Sequence, residues 1–111
     1  MTTGSPLPHR GEVWWVRVDK RRPAVVVQSE VLREPRVGSL LVVPLTGRLH
    51  LEGLPGNVRL TRRATGLPKP SVANVYDVQK VLRSDLIDCS GALPPAELAR
   101  LDDGLRFVLG L

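Results

Sequence analysis

Apolar residues in this chain come in short runs, and nearly every run before residue 94 is closed by proline, glycine or a polar turn. Runs of that kind suit strands and leave little room for packed helices. Gly11 to Val18 (GEVWWVRV) predicts a first strand, with Val13, Trp15 and Arg17 on one face and Trp14, Val16 and Val18 on the other. At least one of the adjacent tryptophans then belongs to the core, which leaves the other to stack on a base or a second subunit. Asp19-Lys20-Arg21 is a short polar turn. Pro23 to Gln28 (PAVVVQ) predicts a second strand, buried on both faces because its apolar run is unbroken. Glu30 to Gly38 reads as a loop or helical turn. Ser39 to Leu45 (SLLVVPL) is a third strand, and Pro44 marks it as an edge or a bulge. Thr46 and Gly47 follow directly, then a loop over Arg48 to Gly56. A Pro-Gly-Asn turn precedes a fourth strand, Asn57 to Leu60. Thr61 to Pro70 reads as a surface loop, and Ser71 to Tyr76 and Val78 to Leu82 as two further strands.

The pattern changes at Pro94-Pro95. Leu98, Leu101, Leu105 and Val108 recur at helical spacing and predict one apolar stripe on a helix ending near Leu109. Proline suits its first turn, Glu97 and Arg106 suit the dipole, and Gly110 terminates it. Six strands and one amphipathic helix define a mainly-β α+β fold, a compact antiparallel barrel with the helix on one side. A length of 111 residues suits a single domain, expected over residues 10–111 after a flexible N-terminus at 1–9. One cysteine, Cys89, forms no internal disulfide, and it reads as a small buried or loop residue. No apolar run is long enough for a transmembrane helix, and Met1 to Arg10 lacks the pattern of a signal peptide, so a cytoplasmic location is expected.

Charge narrows the partner. The formal net charge is +5, carried by 13 arginines and 3 lysines. Residues 1–83 hold 14 basic and 6 acidic residues, a balance of +8; residues 84–111 hold 2 basic and 5 acidic, a balance of −3. Basic charge concentrated in the strands points to an anionic partner such as nucleic acid, and arginine's planar fork of donors suits phosphate. Metal chemistry is disfavoured: His9 and His50 each lack a second ligand at metal spacing. Neither a phosphate-binding glycine loop nor a nucleophile elbow is present. The remaining polar candidates sit at strand ends, where ladder hydrogen bonds fix position. They are Arg21 and Arg22 before the second strand, Thr46 after the third, and Ser71, Asn74, Tyr76 and Asp77 on or near the fifth. An arginine and a hydroxyl are suited to hold charge accumulating on phosphorus when a ribose 2′-hydroxyl attacks it. The proton-accepting group stays unassigned, because arginine is a poor base at neutral pH.

Several segments together resemble the MazF/PemK toxin ribonucleases. They are RGEVWWV (10–16), RPAVVVQS (22–29), VPLT (43–46), PGNV (55–58), GLP (66–68), SVANV (71–75), Asp85-Leu86 and the closing LRFVLGL (105–111). The resemblance implies an SH3-like barrel, a homodimer, and cleavage of single-stranded RNA at short motifs with no cofactor or metal. It implies that Arg22 and Thr46 are the catalytic pair. It also implies an antitoxin whose acidic, disordered segment folds onto the toxin. Lys20, Arg21, Ser29, Arg48, Ser71, Asn74 and Asp77 are the residues expected to contact RNA. Two departures bear on the recognised motif: the Asp19–Arg21 connection is short, and Tyr76-Asp77 differs from several relatives. Two other functions fit the same barrel. A CcdB-like toxin poisons gyrase by binding alone, but uses a C-terminal tryptophan, and this chain has none after Trp15. A plain RNA-binding barrel needs no Arg22–Thr46 pair and usually carries more aromatics than 4%.

Overall fold

The computed structural model describes residues 5–111. In chain order it holds β1 (Glu12–Arg17), β2 (Arg21–Val26), β3 (Ser39–Thr46), β4 (Val58–Leu60), α1 (Arg62–Thr65), β5 (Ser71–Ala73), β6 (Gln79–Leu82), β7 (Leu86–Ala92) and α2 (Pro95–Leu109). Single 3-10 turns occupy Glu30–Leu32, Leu49–Gly53, Val75–Asp77 and Arg83–Asp85. Every pairing is antiparallel, in the order β4-β5-β3-β2-β1-β7, with β6 also on β3. The sheet curls into a half-barrel, and α2 packs on one side.

The β1–β2 hairpin runs from Val13 opposite Val25 to Arg17 opposite Arg21. Asp19 closes its tip by accepting from the Lys20 N–H at 2.7 Å. β2 is buried on both faces, as its apolar run predicts. Val25 joins the core beneath α2, with Val13, Val43, Leu60, Val75 and Leu101. Ala24 and Val26 join a second cluster with Val16, Leu40, Val42 and Val81. The two tryptophans divide between these clusters, Trp15 against the first and Trp14 against the second, and both are half-buried.

β3 is the organising strand. Along one side it pairs with β2; along the other it pairs first with β6 (Ser39–Val42) and then with β5 (Leu45–Thr46). Pro44, expected to mark an edge or a bulge, lies in this central strand, paired opposite Ala24 without a shift of register. It is tolerated because it falls between the two partners. Its carbonyl accepts from the Asn74 N–H at 3.0 Å, and the donor it lacks would have faced the same gap.

The α2 stripe is as expected: Leu101 is fully buried, and Leu98, Leu105 and Val108 pack around it. Burial of each such side chain contributes roughly 1.5–3 kcal/mol. Gly110 ends the helix with φ 74°. Gly104 lets the helix touch the chain before β4; a Cβ there would stand 2.0 Å from the Gly56 carbonyl oxygen.

Four further sequence expectations need correction. A seventh strand, β7, follows the six. It is an edge strand on β1 with two register shifts, and LIDCSGA shows no clean alternation to betray it. Cys89 lies on it, exposed rather than buried or in a loop. Thr61 to Pro70 is not merely a surface loop. Thr61 Oγ1 accepts from the Ala64 N–H and caps α1, and Ala64, Thr65 and Leu67 are buried. The fifth strand stops at Ala73, and Asn74 then caps the Val75–Asp77 turn. Of the expected flexible stretch, residues 1–4 lie outside the described residues. The backbone of Ser5, Pro6 and Leu7 is held by Arg83 and Arg33 through their carbonyls. His9 donates its N–H to Glu12, and its ring contacts Glu30.

Candidate active site

β2 and β3 pair as Ala24 opposite Pro44. The ladder ends at that pair; carried two residues further, the same register would set Arg22 across from Thr46, with both side chains on one face of the sheet. They meet in one open groove of about 340 Å³, which Arg48, Leu51, Asn74 and Asp77 also line. Three elements thus supply it: the start of β2, the end of β3 with its following loop, and the corner after β5.

Arg22 is half-exposed, with Nε 3.6 Å from Asp19 Oδ1. The Lys20 N–H, more than the Arg22 charge, holds the Asp19 carboxyl below its usual range. An ionised Asp19 therefore stands behind the guanidinium at neutral pH. At this exposure the pair adds little stability, and its effect is to bias the arginine's direction. Thr46 Oγ1 accepts from the Arg48 N–H at 3.1 Å. This is the turn-capping use of threonine, and it coexists with a second use. With a lone pair occupied by the backbone donor, the hydroxyl proton is left to donate into the groove.

Asn74 Oδ1 accepts from the Tyr76 N–H at 3.3 Å and from Asn57 Nδ2 at 3.4 Å. Asp77 Oδ2 accepts from Gln79 Nε2 at 2.9 Å. The lining therefore combines two guanidinium groups, a hydroxyl, an amide and one carboxylate. It can bind a phosphodiester and offer both donors and acceptors to a base.

Five of the residues expected from sequence come together here: Arg22, Thr46, Arg48, Asn74 and Asp77. Lys20 and Arg21 are exposed at the hairpin tip and are not part of the groove's lining. Arg21 stacks over the Trp15 ring, 4.7 Å from its centre, and Nη2 is 3.4 Å from Asp88. Trp14 donates its indole N–H to Glu12 at 3.1 Å. One face of the Trp15 ring is thus taken by Arg21, while the in-plane N–H bond of Trp14 fixes that ring's direction. Two expected residues lie elsewhere. Ser29 caps the Glu30–Leu32 turn by accepting from the Val31 N–H, and lines a separate cleft with Leu7 and Arg83. Ser71 is 4% exposed, and its Oγ is buried with no hydrogen-bond partner among the described residues. Burial takes it out of reach of RNA. His50 is exposed on the Leu49–Gly53 turn and is not among the groove's lining. Sequence reasoning missed Asn57 as a support of this corner, and named Tyr76 among the polar candidates without its role there: Tyr76 Oη donates to the Pro55 carbonyl at 2.6 Å. The PGN segment signals a turn, but nothing in it says where the asparagine amide points. Among the described residues, no three His, Cys, Asp or Glu side chains cluster as a metal site would require.

A curled antiparallel half-barrel, flanked by a C-terminal helix and opening a cationic groove at the β2–β3 strand ends, defines the class. The model of the PemK-like, MazF-like toxins of type II toxin–antitoxin systems matches residues 9–109. The chain belongs to this family. It is 34% identical over 110 residues to endoribonuclease MazF6 of Mycobacterium tuberculosis, covering 92% of this chain and 96% of that protein. It is 31% identical to endoribonuclease MazF9 of the same organism, covering 95% and 98%. Among solved structures it superposes on M. tuberculosis toxin MazF-mt6 with a TM-score of 0.79 and 26% identity, covering 90% of this chain and 97% of that one. For a MazE–MazF structure from Deinococcus radiodurans the TM-score is 0.77 at 25% identity, covering 96% and 99%. No helix of the described residues is long and apolar enough to cross a membrane.

Proposed function

We propose that this protein is a metal-independent endoribonuclease that cuts single-stranded RNA at a short motif, as the toxin of a toxin–antitoxin pair acting in the cytoplasm. One observation carries the mechanism: Arg22 and Thr46, from adjacent strands, line the same groove. The RNA 2′-hydroxyl attacks the neighbouring phosphorus, a P–O bond forms to O2′, and the bond to the departing 5′ oxygen breaks. The products are a 2′,3′-cyclic phosphate and a 5′-hydroxyl. Arg22 holds the non-bridging oxygens as negative charge gathers on them, and the Thr46 hydroxyl adds a donor. Preorganised donors of this kind each contribute about 2.7–4 kcal/mol to the transition state. Arg48, Lys20 and Arg21 would bind flanking phosphates, while Asn74 and Asp77 face the bases.

Two partners follow from the same surface. The cationic groove suits the acidic segment of an antitoxin, which would exclude RNA by occupying it. A homodimer is supported by apolar side chains left exposed around the end of α2 and β6, namely Leu41, Leu82, Phe107, Leu109 and Leu111. The names of the relatives favour catalysis over gyrase poisoning by contact alone.

The decisive experiment incubates purified protein with long mixed-sequence single-stranded RNA in excess EDTA and sequences the new 5′ ends. Cleavage with cyclic phosphate termini is expected. Arg22→Ala and Thr46→Ala should each fold and lose about 10²–10³-fold in rate. Wild-type rates in both variants would remove the proposed site. Intact RNA alongside inhibited topoisomerase would instead favour the binding toxin.

A further inference from the structure

Asn57 stands behind the groove, outside its lining, yet three segments, two of which line the groove, meet on its side chain. Its Oδ1 accepts from the Val75 N–H at 2.9 Å. Its Nδ2 donates to the Leu51 carbonyl at 2.9 Å and to Asn74 Oδ1 at 3.4 Å. Leu51 and Asn74 both line the groove. The orientation of both amides follows by logic from two backbone donors. The Val75 N–H can face only an oxygen, so Asn57 must present Oδ1 there and Nδ2 on the other side. The Tyr76 N–H likewise demands an oxygen from Asn74. With Asn57 Nδ2 arriving as a second donor, Asn74 Oδ1 is doubly committed. The Asn74 amide cannot flip, and its Nδ2 is the end left for the groove.

We propose that Asn57 is a positioning residue. It locks the Asn74 side chain in the orientation that presents an N–H donor to the RNA, and ties the Leu49–Gly53 turn to that corner. The proposal rests on the RNA-cleaving function above and assigns no chemical step to Asn57 itself. Asp at this position keeps the acceptor for Val75 but places an oxygen against Leu51 O and Asn74 Oδ1. Asn74 is then pushed to turn its amide, and the groove meets an acceptor where it had a donor.

The test is a double-mutant cycle on RNA cleavage with Asn57→Asp, Asn74→Ala and the combination, each checked for folding by thermal melt. Asn74→Ala is expected to raise KM at least fivefold with kcat less affected. Asn57→Asp should do the same, and should add no more than twofold in the Asn74→Ala background. A wild-type KM for Asn57→Asp, or an undiminished effect in that background, overturns the proposal. Failure of the wild type to cut RNA overturns the functional assignment itself, so the two failures are distinguishable. Should Asn57→Asp not fold, side-chain amide NMR of the wild type decides. The Asn57 amide protons should exchange slowly. The Asn74 amide should shift on adding the all-deoxy oligonucleotide of the mapped cleavage site. An Asn74 signal that stays in place overturns the proposal.

Discussion

Single side chains in this protein carry two duties, and the second is hard to see from sequence. Thr46 caps a turn through its oxygen, and its hydrogen is left to face the groove. Arg22 was legible because it precedes a buried strand, and its register partner was legible because Thr46 ends another. Ser71 shows the opposite case. It sits in a segment that reads as functional, but the pleat of β5 turns its hydroxyl inward, where it lacks a partner. A buried, unpaired hydroxyl costs stability, so Ser71→Ala should raise stability by about 1 kcal/mol in urea melts and leave cleavage unchanged. A loss of cleavage would show that this serine reaches RNA after all. Side-chain direction at such positions depends on where a strand ends, and Ala73, not Tyr76, ends this one.

At the scale of elements, face alternation fitted β1, unbroken apolar runs located β2 and β3, and helical spacing located α2, because each buries a recognisable pattern of side chains. It failed for β7, an edge strand whose Asp88, Cys89 and Ser90 carry little hydrophobic signal, and for α1, whose single turn is stabilised by the Thr61 cap and by burial. Pro44 misled for a related reason: a central strand that changes partners midway has one position that needs no donor. The contact between α2 and the segment before β4 also depends on composition. Gly104 is a poor helix former, about 0.5–1 kcal/mol worse than alanine in isolation. Here, however, a methyl group would collide with the Gly56 backbone. Gly104→Ala should therefore destabilise by about 1–3 kcal/mol in denaturant unfolding, against its helix propensity. A stabilised variant would mean that the helix and this segment separate easily.

For the molecule as a whole, folding mixes the charges that the two ends of the sequence keep apart: β7 and α2 carry only Asp88, Glu97, Asp102 and Asp103 of the eleven acidic residues, while Asp19 and Asp77 stand beside Arg22 and Arg48 at the groove. The anchoring of the leading segment was not legible, since it uses arginines that sequence reasoning read as a general basic character. Glu30 is part of that anchor. It accepts from the Arg10 N–H at 2.6 Å and from the His9 ring at 3.0 Å. Chiefly the Arg10 N–H, and then the His9 contact, holds its carboxyl below the usual range of a glutamate. A carboxyl lowered in the folded state stabilises fully above its unfolded value and loses that contribution as pH falls through the folded one. Hydrogen exchange should find the Arg10 amide equally protected from pH 8 down to about pH 5, and less so below 4.5. Unchanged protection at acid pH would show that Glu30 is not what holds it.

Arg83 grips this segment through main-chain oxygens alone, those of Ser5, Pro6 and Pro35. Such a clasp is indifferent to which side chains pass through it. The side chains at positions 5 and 6 are consequently free to drift in evolution or be rewritten by an engineer, provided the backbone keeps its path, whereas the guanidinium that fastens them has no substitute among the twenty amino acids.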